Sequence, residues 1–133
     1  MTVNQSTYTY SEIMQQFSGW KQILYHLEKK GTKNLKMLEK YAEAEWIFTG
    51  CGTSYYLAQT ASLLFENLTG IPSRAVPCSE IIIFPQSVFN SRLEYLVVPI
   101  SRSGTSTEVV MAARNVKNNL KIPTLVVSCT PDS

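Results

Sequence analysis

Hydroxyl-bearing residues cluster twice beside glycine in this chain, at Gly50-Cys51-Gly52-Thr53-Ser54 and at Ser101-Arg102-Ser103-Gly104-Thr105-Ser106. Each cluster follows an apolar run and precedes residues with helical periodicity, so each reads as a strand-to-helix turn. Such turns gather backbone N–H groups at the positive end of a helix dipole, a setting that suits a phosphate or a carboxylate. Thr53, Ser54, Ser101, Ser103 and Ser106 offer hydroxyls, Gly52, Gly104 and Thr105 offer backbone amides, and Arg102 adds a positive charge.

Any one of these turns is explained equally well by ordinary helix capping. Two at neighbouring strand ends favour a phosphate ester, and competing chemistries fit less well. Tyr55 stands where a dinucleotide-binding turn needs its third glycine, and no G-K-[ST] is present for a nucleotide P-loop. Cys51 has no histidine base nearby in sequence and reads as mainly structural. Cys51, Cys78 and Cys129 are an odd number without metal-ligand spacing, and lone His26 does not complete a zinc set with them. They are expected to be reduced and mostly buried. His26 lies off the apolar stripe of its helix and reads as a partly exposed residue. No metal or cofactor is expected.

The elements that must hold the two turns follow from periodicity. Residues 1–10 are polar and aperiodic and read as a flexible arm. Ile13, Phe17, Trp20, Leu24 and Leu27, widened by Ile23, predict an amphipathic helix capped by Ser11 and ended by Gly31. A second helix with Leu35, Leu38 and Tyr41 or Ala42 on one face completes an N-terminal helical segment, residues 11–44. Trp46 to Thr49 predicts a short buried strand. Leu57, Ala61, Leu64, Phe65 and Leu68 predict the buried face of the next helix, stopped by Thr69-Gly70 before Pro72. Ser73 to Pro77 predicts an edge strand because of its proline. Cys78 to Phe84 fits a short helix or an extended segment, ended by Pro85. Tyr95 to Ile100 predicts a central parallel strand. Thr105 and Glu108 match a capping box for a helix carrying Val109, Ala113, Val116 and Leu120, and Thr124 to Ser128 predicts a fourth strand.

Strand and helix therefore alternate in residues 45–133, the pattern of a three-layer α/β fold with an open parallel sheet. With flavodoxin-like strand order 2-1-3-4, the crevice at the reversal of order lies between the first and third strands, which end in the two hydroxyl-rich turns. The chain stops after the fourth strand. A fifth strand is missing, so the sequence reads as a truncated domain or one that another chain completes.

At 133 residues the chain suits one compact domain, and its formal net charge of +2, with dispersed basic residues, gives no footprint for nucleic acid. No signal region is present and no apolar run approaches the roughly 18 residues needed to span a bilayer. A cytoplasmic protein that avoids nucleic acid and membrane is expected.

From Ser11 to the end, the sequence resembles the sugar isomerase (SIS) domain family, through G-C-G-T-S at Gly50 to Ser54 and S-R-S-G-T-S-T-E at Ser101 to Glu108. Glu12-Ile13 with Gln16 and Trp20 resembles the E-I-x-x-Q-P opening of the glucosamine-6-phosphate synthase isomerase region and of tagatose-6-phosphate ketose/aldose isomerase-like proteins. Phe17 stands in place of the proline. The resemblance implies that Thr53, Ser54, Ser101, Ser103 and Ser106 hold a sugar phosphate. Arg102 replaces the synthase glutamine and matches the R-S-G-x-S form of the ketose/aldose isomerases. Glu108 fits the acidic position closing the motif.

The resemblance further implies a phosphosugar-binding domain of an aldose/ketose isomerase, or of a related aminotransferase or deglycase, in a homo-oligomer. Fructose 6-phosphate, glucosamine 6-phosphate and tagatose 6-phosphate are the implied ligands. The family's acid/base groups come from a second SIS domain or C-terminal tail, so the catalytic residues are not identified and this chain alone is expected to be inactive. The alternative is a non-catalytic phosphosugar sensor, and a third reading is a structural fragment that assembles through an exposed edge strand.

Overall fold

The computed structural model describes residues 5–130, and the chain divides into a helical unit ending at Lys40 and an α/β unit beginning at Tyr41. The helical unit is one helix, α1, Gln5–Leu38. Four expectations fail here: the N-terminal arm, the Ser11 cap, the Gly31 stop and a separate second helix. Gln5 to Tyr10 continue the helix instead of forming an arm, and Met1 to Asn4 lie outside the described residues. Ser11 is therefore internal, and its hydroxyl accepts a bond from Gln15 Nε2 at 3.2 Å. Gly31 does not end the helix because it does not take the left-handed backbone that Gly52, Gly70 and Gly104 adopt. Flanking lysines and leucines are good helix formers and carry the helix through it. Ile13, Phe17, Trp20, Leu24 and Leu27 are all more than half exposed within this unit, as is neighbouring Ile23. His26 is exposed and lies edge-on to Tyr25.

The second unit is a four-stranded parallel sheet in the order β2-β1-β3-β4. Its strands are β1, Glu45–Gly50; β2, Ser73–Pro77; β3, Tyr95–Ser101; and β4, Val127–Ser128. Helix α2, Thr53–Thr69, connects the first two strands and ends at Gly70, whose φ of 72° suits a residue without a Cβ. Short helices α3, Cys78–Ile83, and α4, Pro85–Val88, lead towards β3. The ambiguous segment after Cys78 is thus helical, and Pro85 opens the next turn where its missing N–H does no harm. Helix α5, Thr107–Arg114, follows β3 and runs into a wider π turn at Asn115–Asn119.

Strand alternation sorts the core into two layers. Ile47 and Val97 point to one side, where they join Val76, Cys78, Ile81, Val109, Ala112 and Val116. Trp46 and Phe48 point to the other, where the Phe65 ring of α2 stacks on Trp46 at 4.3 Å and lies 5.6 Å from Phe48. The predicted stripe on α2 holds at Phe65 and is otherwise displaced by one residue. Ala58 and Ser62 are the buried positions, whereas Leu57, Leu64 and Leu68 are exposed. A helix lying close to a sheet favours small side chains beneath it, and the leucine stripe points away.

The second helix cap is also displaced. Ser106, not Thr105, is the N-cap of α5, and no side chain bonds back to it, so the capping box with Glu108 does not form. On its buried face Ala112 replaces the expected Ala113, and Leu120 is exposed.

β4 is shorter than the predicted Thr124 to Ser128, and β3 supplies the reason. Val97 N–H donates to Pro123 O at 3.0 Å and Val97 O accepts from Leu125 N at 2.9 Å, so Val97 faces the β4 side. By alternation Pro99 faces the same side and has no N–H to give. The ladder is interrupted there, leaving a bridge at Thr124 and a resumed pairing of Ile100 with Val127 and Ser101 with Ser128.

Candidate functional site

The first turn is built by two glycines with different tasks. A Cβ on Gly50 would lie 2.6 Å from the backbone carbon and oxygen of Ser54 and 2.8 Å from the Tyr55 nitrogen. Gly50 therefore lets the first turn of α2 close onto the end of β1. Gly52 has open space around it but takes φ 56° and ψ −127°, a backbone unsuited to a side chain. The turn is tied by Ser54 N–H to Cys51 O at 3.2 Å and by Tyr55 N–H to Gly52 O at 3.0 Å. No side chain caps α2, so Thr53, which is exposed, and Ser54, half-buried, do not spend their hydroxyls on the helix end.

The second turn is shaped from within. Ser101 is buried, and its Oγ accepts the Gly104 N–H at 3.1 Å; Ser103 Oγ accepts the Thr105 N–H at 3.3 Å. Gly104 takes φ 69°. Arg102 and Ser103 are exposed at the tip, and Arg102 forms no ion pair among the described residues. Its carbonyl accepts the Cys129 N–H at 3.3 Å, which fastens the turn to the chain leaving β4.

The register brings the two turns side by side. Thr49 pairs with Pro99, so Gly50, the last residue of β1, lies one residue short of the level at which β3 ends, at Ser101. Neighbouring strands are about 4.8 Å apart. Beside the end of β1 lies the buried Cys78 thiol, 3.3 Å from Thr49 Oγ1. Burial pushes Cys78 above its usual range; the Thr49 bond opposes this, and negative charge on Cys51 or Glu108 pushes further up. One buried thiol thus senses a residue of the first turn and one from the helix after the second. Only Cys78 of the three thiols is buried, since Cys51 and Cys129 are exposed, contrary to the expectation from sequence.

The strand order reverses between β1 and β3, where parallel α/β sheets bind ligands outside the carboxyl ends of their strands. Ser128 belongs to this same edge, since it pairs with Ser101, and its Oγ accepts the Thr130 N–H at 3.1 Å. Sequence reasoning took β4 as a strand and passed over its hydroxyl-bearing end, although the S-C-T run that begins at its last residue carries the signal. A cavity of about 540 Å³ lined by Tyr41, Phe89, Glu94, Tyr95 and Lys121 lies at the opposite, amino end of the strands. It contains neither glycine-rich turn and no uncapped start of a long helix, so the carboxyl edge is the better seat for an anion.

The SIS domain family model matches residues 41–133. The chain belongs to the SIS domain family. It is 33% identical over 93 residues to a glutamine–fructose-6-phosphate aminotransferase (isomerizing) of Methanothermobacter thermautotrophicus, covering 69% of this chain and 15% of that protein. A Pseudomonas aeruginosa protein of the same name is 31% identical over 99 residues, covering 74% of this chain and 15% of that protein. The SIS chain thus spans only about 15% of the length of the curated relatives it matches.

Among solved structures, a glucosamine-6-phosphate deaminase from Thermotoga maritima matches with TM-score 0.59 and 30% identity, over 79% of this chain and 32% of that one. A tagatose-6-phosphate ketose/aldose isomerase from Escherichia coli matches with TM-score 0.70 over 84% of this chain and 31% of that one. Its 24% identity makes that likeness one of fold alone. Expected and observed fold agree in sheet order, parallel pairing and layer arrangement.

Proposed function

We propose that this SIS domain binds the phosphate group of a phosphosugar across its two turns, as part of a sugar-phosphate isomerase or a related aminotransferase or deglycase. The observation that carries the reading is the pairing of two uncapped helix starts, α2 and α5, at neighbouring strand ends where the sheet order reverses. Both helix dipoles present their positive ends to one crevice. Thr53, Ser54, Ser103 and Ser106 donate hydroxyl hydrogen bonds, Gly52, Gly104 and Thr105 contribute backbone amides, and Arg102 neutralises charge. Ser101 holds the second turn in shape through its bond to Gly104.

The names of the relatives support the choice of ligand, since they specify fructose 6-phosphate, glucosamine 6-phosphate or tagatose 6-phosphate. All three names belong to enzymes, which favours an enzymatic parent over a sensor. Isomerisation of such a sugar moves a proton between its first two carbons and needs a positioned base. The two turns are suited to holding the phosphate rather than to that proton transfer, so binding without turnover is the property assigned to these residues. Unpaired cysteines accord with a cytoplasmic setting, and no described helix is long and apolar enough to cross a membrane. A homo-oligomer goes with this reading, supported by the exposed apolar stripes Ile13, Phe17, Trp20, Leu24 on α1 and Leu57, Leu64, Leu68 on α2.

Calorimetric titration tests the assignment. Fructose 6-phosphate, glucosamine 6-phosphate or tagatose 6-phosphate should bind, and unphosphorylated fructose should not. A folded protein that binds none of the three phosphosugars overturns it. Sedimentation velocity checks assembly, where a monomer at all concentrations removes the oligomer.

A further inference from the structure

β1 and β2 deliver one cysteine each to the same place. Gly50, the last residue of β1, pairs with Pro77, the last of β2, and the residues that follow are Cys51 and Cys78. Thr49 pairs with Val76, two residues before Cys51 and Cys78 respectively, so both cysteines leave the sheet from the same level. The contact of Cys78 Sγ with Thr49 Oγ1 at 3.3 Å holds the Cys78 thiol beside β1. At the last pair, Gly50 and Pro77, adjacent strands lie about 4.8 Å apart, so the cysteines that follow start out within the range of roughly 4.4–6.8 Å between Cα atoms that a disulfide bridges.

We propose that Cys51 and Cys78 are a disulfide-forming pair, a modification site across the carboxyl ends of β1 and β2 that clamps the first glycine-rich turn. The two thiols differ in the way a stepwise exchange requires. Cys51 is exposed and meets the oxidant, whereas Cys78 is buried and waits beneath it. The electrostatic influence of Cys51 on Cys78 accords with this closeness.

The chemistry balances with a low-molecular-weight disulfide such as oxidised glutathione. The Cys51 thiolate attacks one sulfur of that disulfide, forming a mixed disulfide and releasing one glutathione thiolate, which takes up a proton. Cys78 gives its proton to solvent, and its thiolate attacks the Cys51 sulfur and expels the second glutathione. Two protein thiols are oxidised and one small disulfide is reduced to two thiols.

Closing this bond draws Cys51 towards the sheet and away from the exposed position it holds, and takes Cys78 from its Thr49 partner. Cys51 immediately precedes Gly52, and its carbonyl accepts the Ser54 N–H, so the Gly52-Thr53-Ser54 turn moves with it. The consequence for ligand affinity rests on the phosphosugar reading above; the cross-link itself does not.

The full chain is treated with oxidised glutathione, its remaining thiols are blocked with N-ethylmaleimide, and a tryptic digest is mapped without reduction. Lys40, Arg74, Arg92 and Lys121 separate the three cysteines into different peptides. The expected result is a reducible link between the Cys51 and Cys78 peptides, replaced in Cys78→Ala by glutathione held on Cys51. Recovery of Cys51 and Cys78 unlinked, or linked only to Cys129, overturns the proposal. Fructose 6-phosphate affinity should fall at least tenfold on oxidation and return with dithiothreitol, while Cys51→Ala, which forms neither the mixed disulfide nor the cross-link, stays insensitive. Unchanged affinity in a cross-linked protein overturns the clamp. A reduced protein that binds no phosphosugar, yet forms the link, fails the functional reading and leaves the modification site standing.

Discussion

Gly50 and Ser54 approach so closely that a methyl group on Gly50 would sit 2.6 Å from the Ser54 backbone. Neither neighbour is the flexible end of a side chain, so the strand end and the helix start must separate to admit it. Gly50→Ala should destabilise the α/β unit by about 1–3 kcal/mol, the usual range for overpacking. Urea denaturation checks it through the midpoint, and an unchanged midpoint would mean that the turn is looser than the geometry requires.

Much of this architecture was legible because the turns punctuate it. Glycine after β1, the serine-rich run after β3 and Pro77 at the edge strand each mark a strand end by a local rule. The errors arose where a local rule had two solutions. On α2, Leu57, Leu64 and Leu68 satisfy helical periodicity as well as Ala58, Ser62 and Phe65 do, and only proximity to the sheet selects the smaller set. At α5, Thr105 and Ser106 are both acceptable caps. Gly31 lies inside α1 because backbone freedom permits a helix end without compelling one. Of the site, the two turns were readable, but Ser128 was not, since its relation to Ser101 depends on a pairing between strands distant in sequence.

Ser101 carries the shape of the second turn. Ser101→Ala removes the acceptor of the Gly104 N–H, a loss of about 1 kcal/mol for an ordinary hydrogen bond. Amide exchange at Gly104 should accelerate while exchange within β1 stays slow. Equal protection of Gly104 in both proteins would assign the turn's rigidity to the Cys129 bond instead.

Arg102 is expected to act on charge rather than on fold. It is exposed, and its backbone carbonyl, not its side chain, makes the tie to Cys129. Arg102→Gln should leave the urea midpoint within about 0.5 kcal/mol, as for other surface substitutions. Fructose 6-phosphate affinity should drop about tenfold, corresponding to about 1.4 kcal/mol, and the dependence of binding on salt should flatten. Titration at two ionic strengths checks this, and an unaltered salt dependence removes Arg102 from the phosphate site.

Cys78 ties stability to alkaline pH. Burial raises its pKa first of all, the Thr49 bond opposes the rise, and Cys51 and Glu108 add to it. The folded protein therefore holds this proton more tightly than the unfolded chain, whose thiol titrates near about pH 8.5. Above that value the unfolded state binds fewer protons, the slope of stability against pH is negative, and the stabilisation present at neutral pH is lost as pH rises towards the folded pKa. Denaturation midpoints for the reduced protein should fall between pH 8 and 10. Cys78→Ala should remove this component of the fall, while Cys129→Ala, which alters an exposed thiol, should retain it. Glu108→Gln takes away one negative influence and should make the fall smaller. If Cys78→Ala and the unsubstituted protein lose stability in parallel, the alkaline sensitivity originates elsewhere.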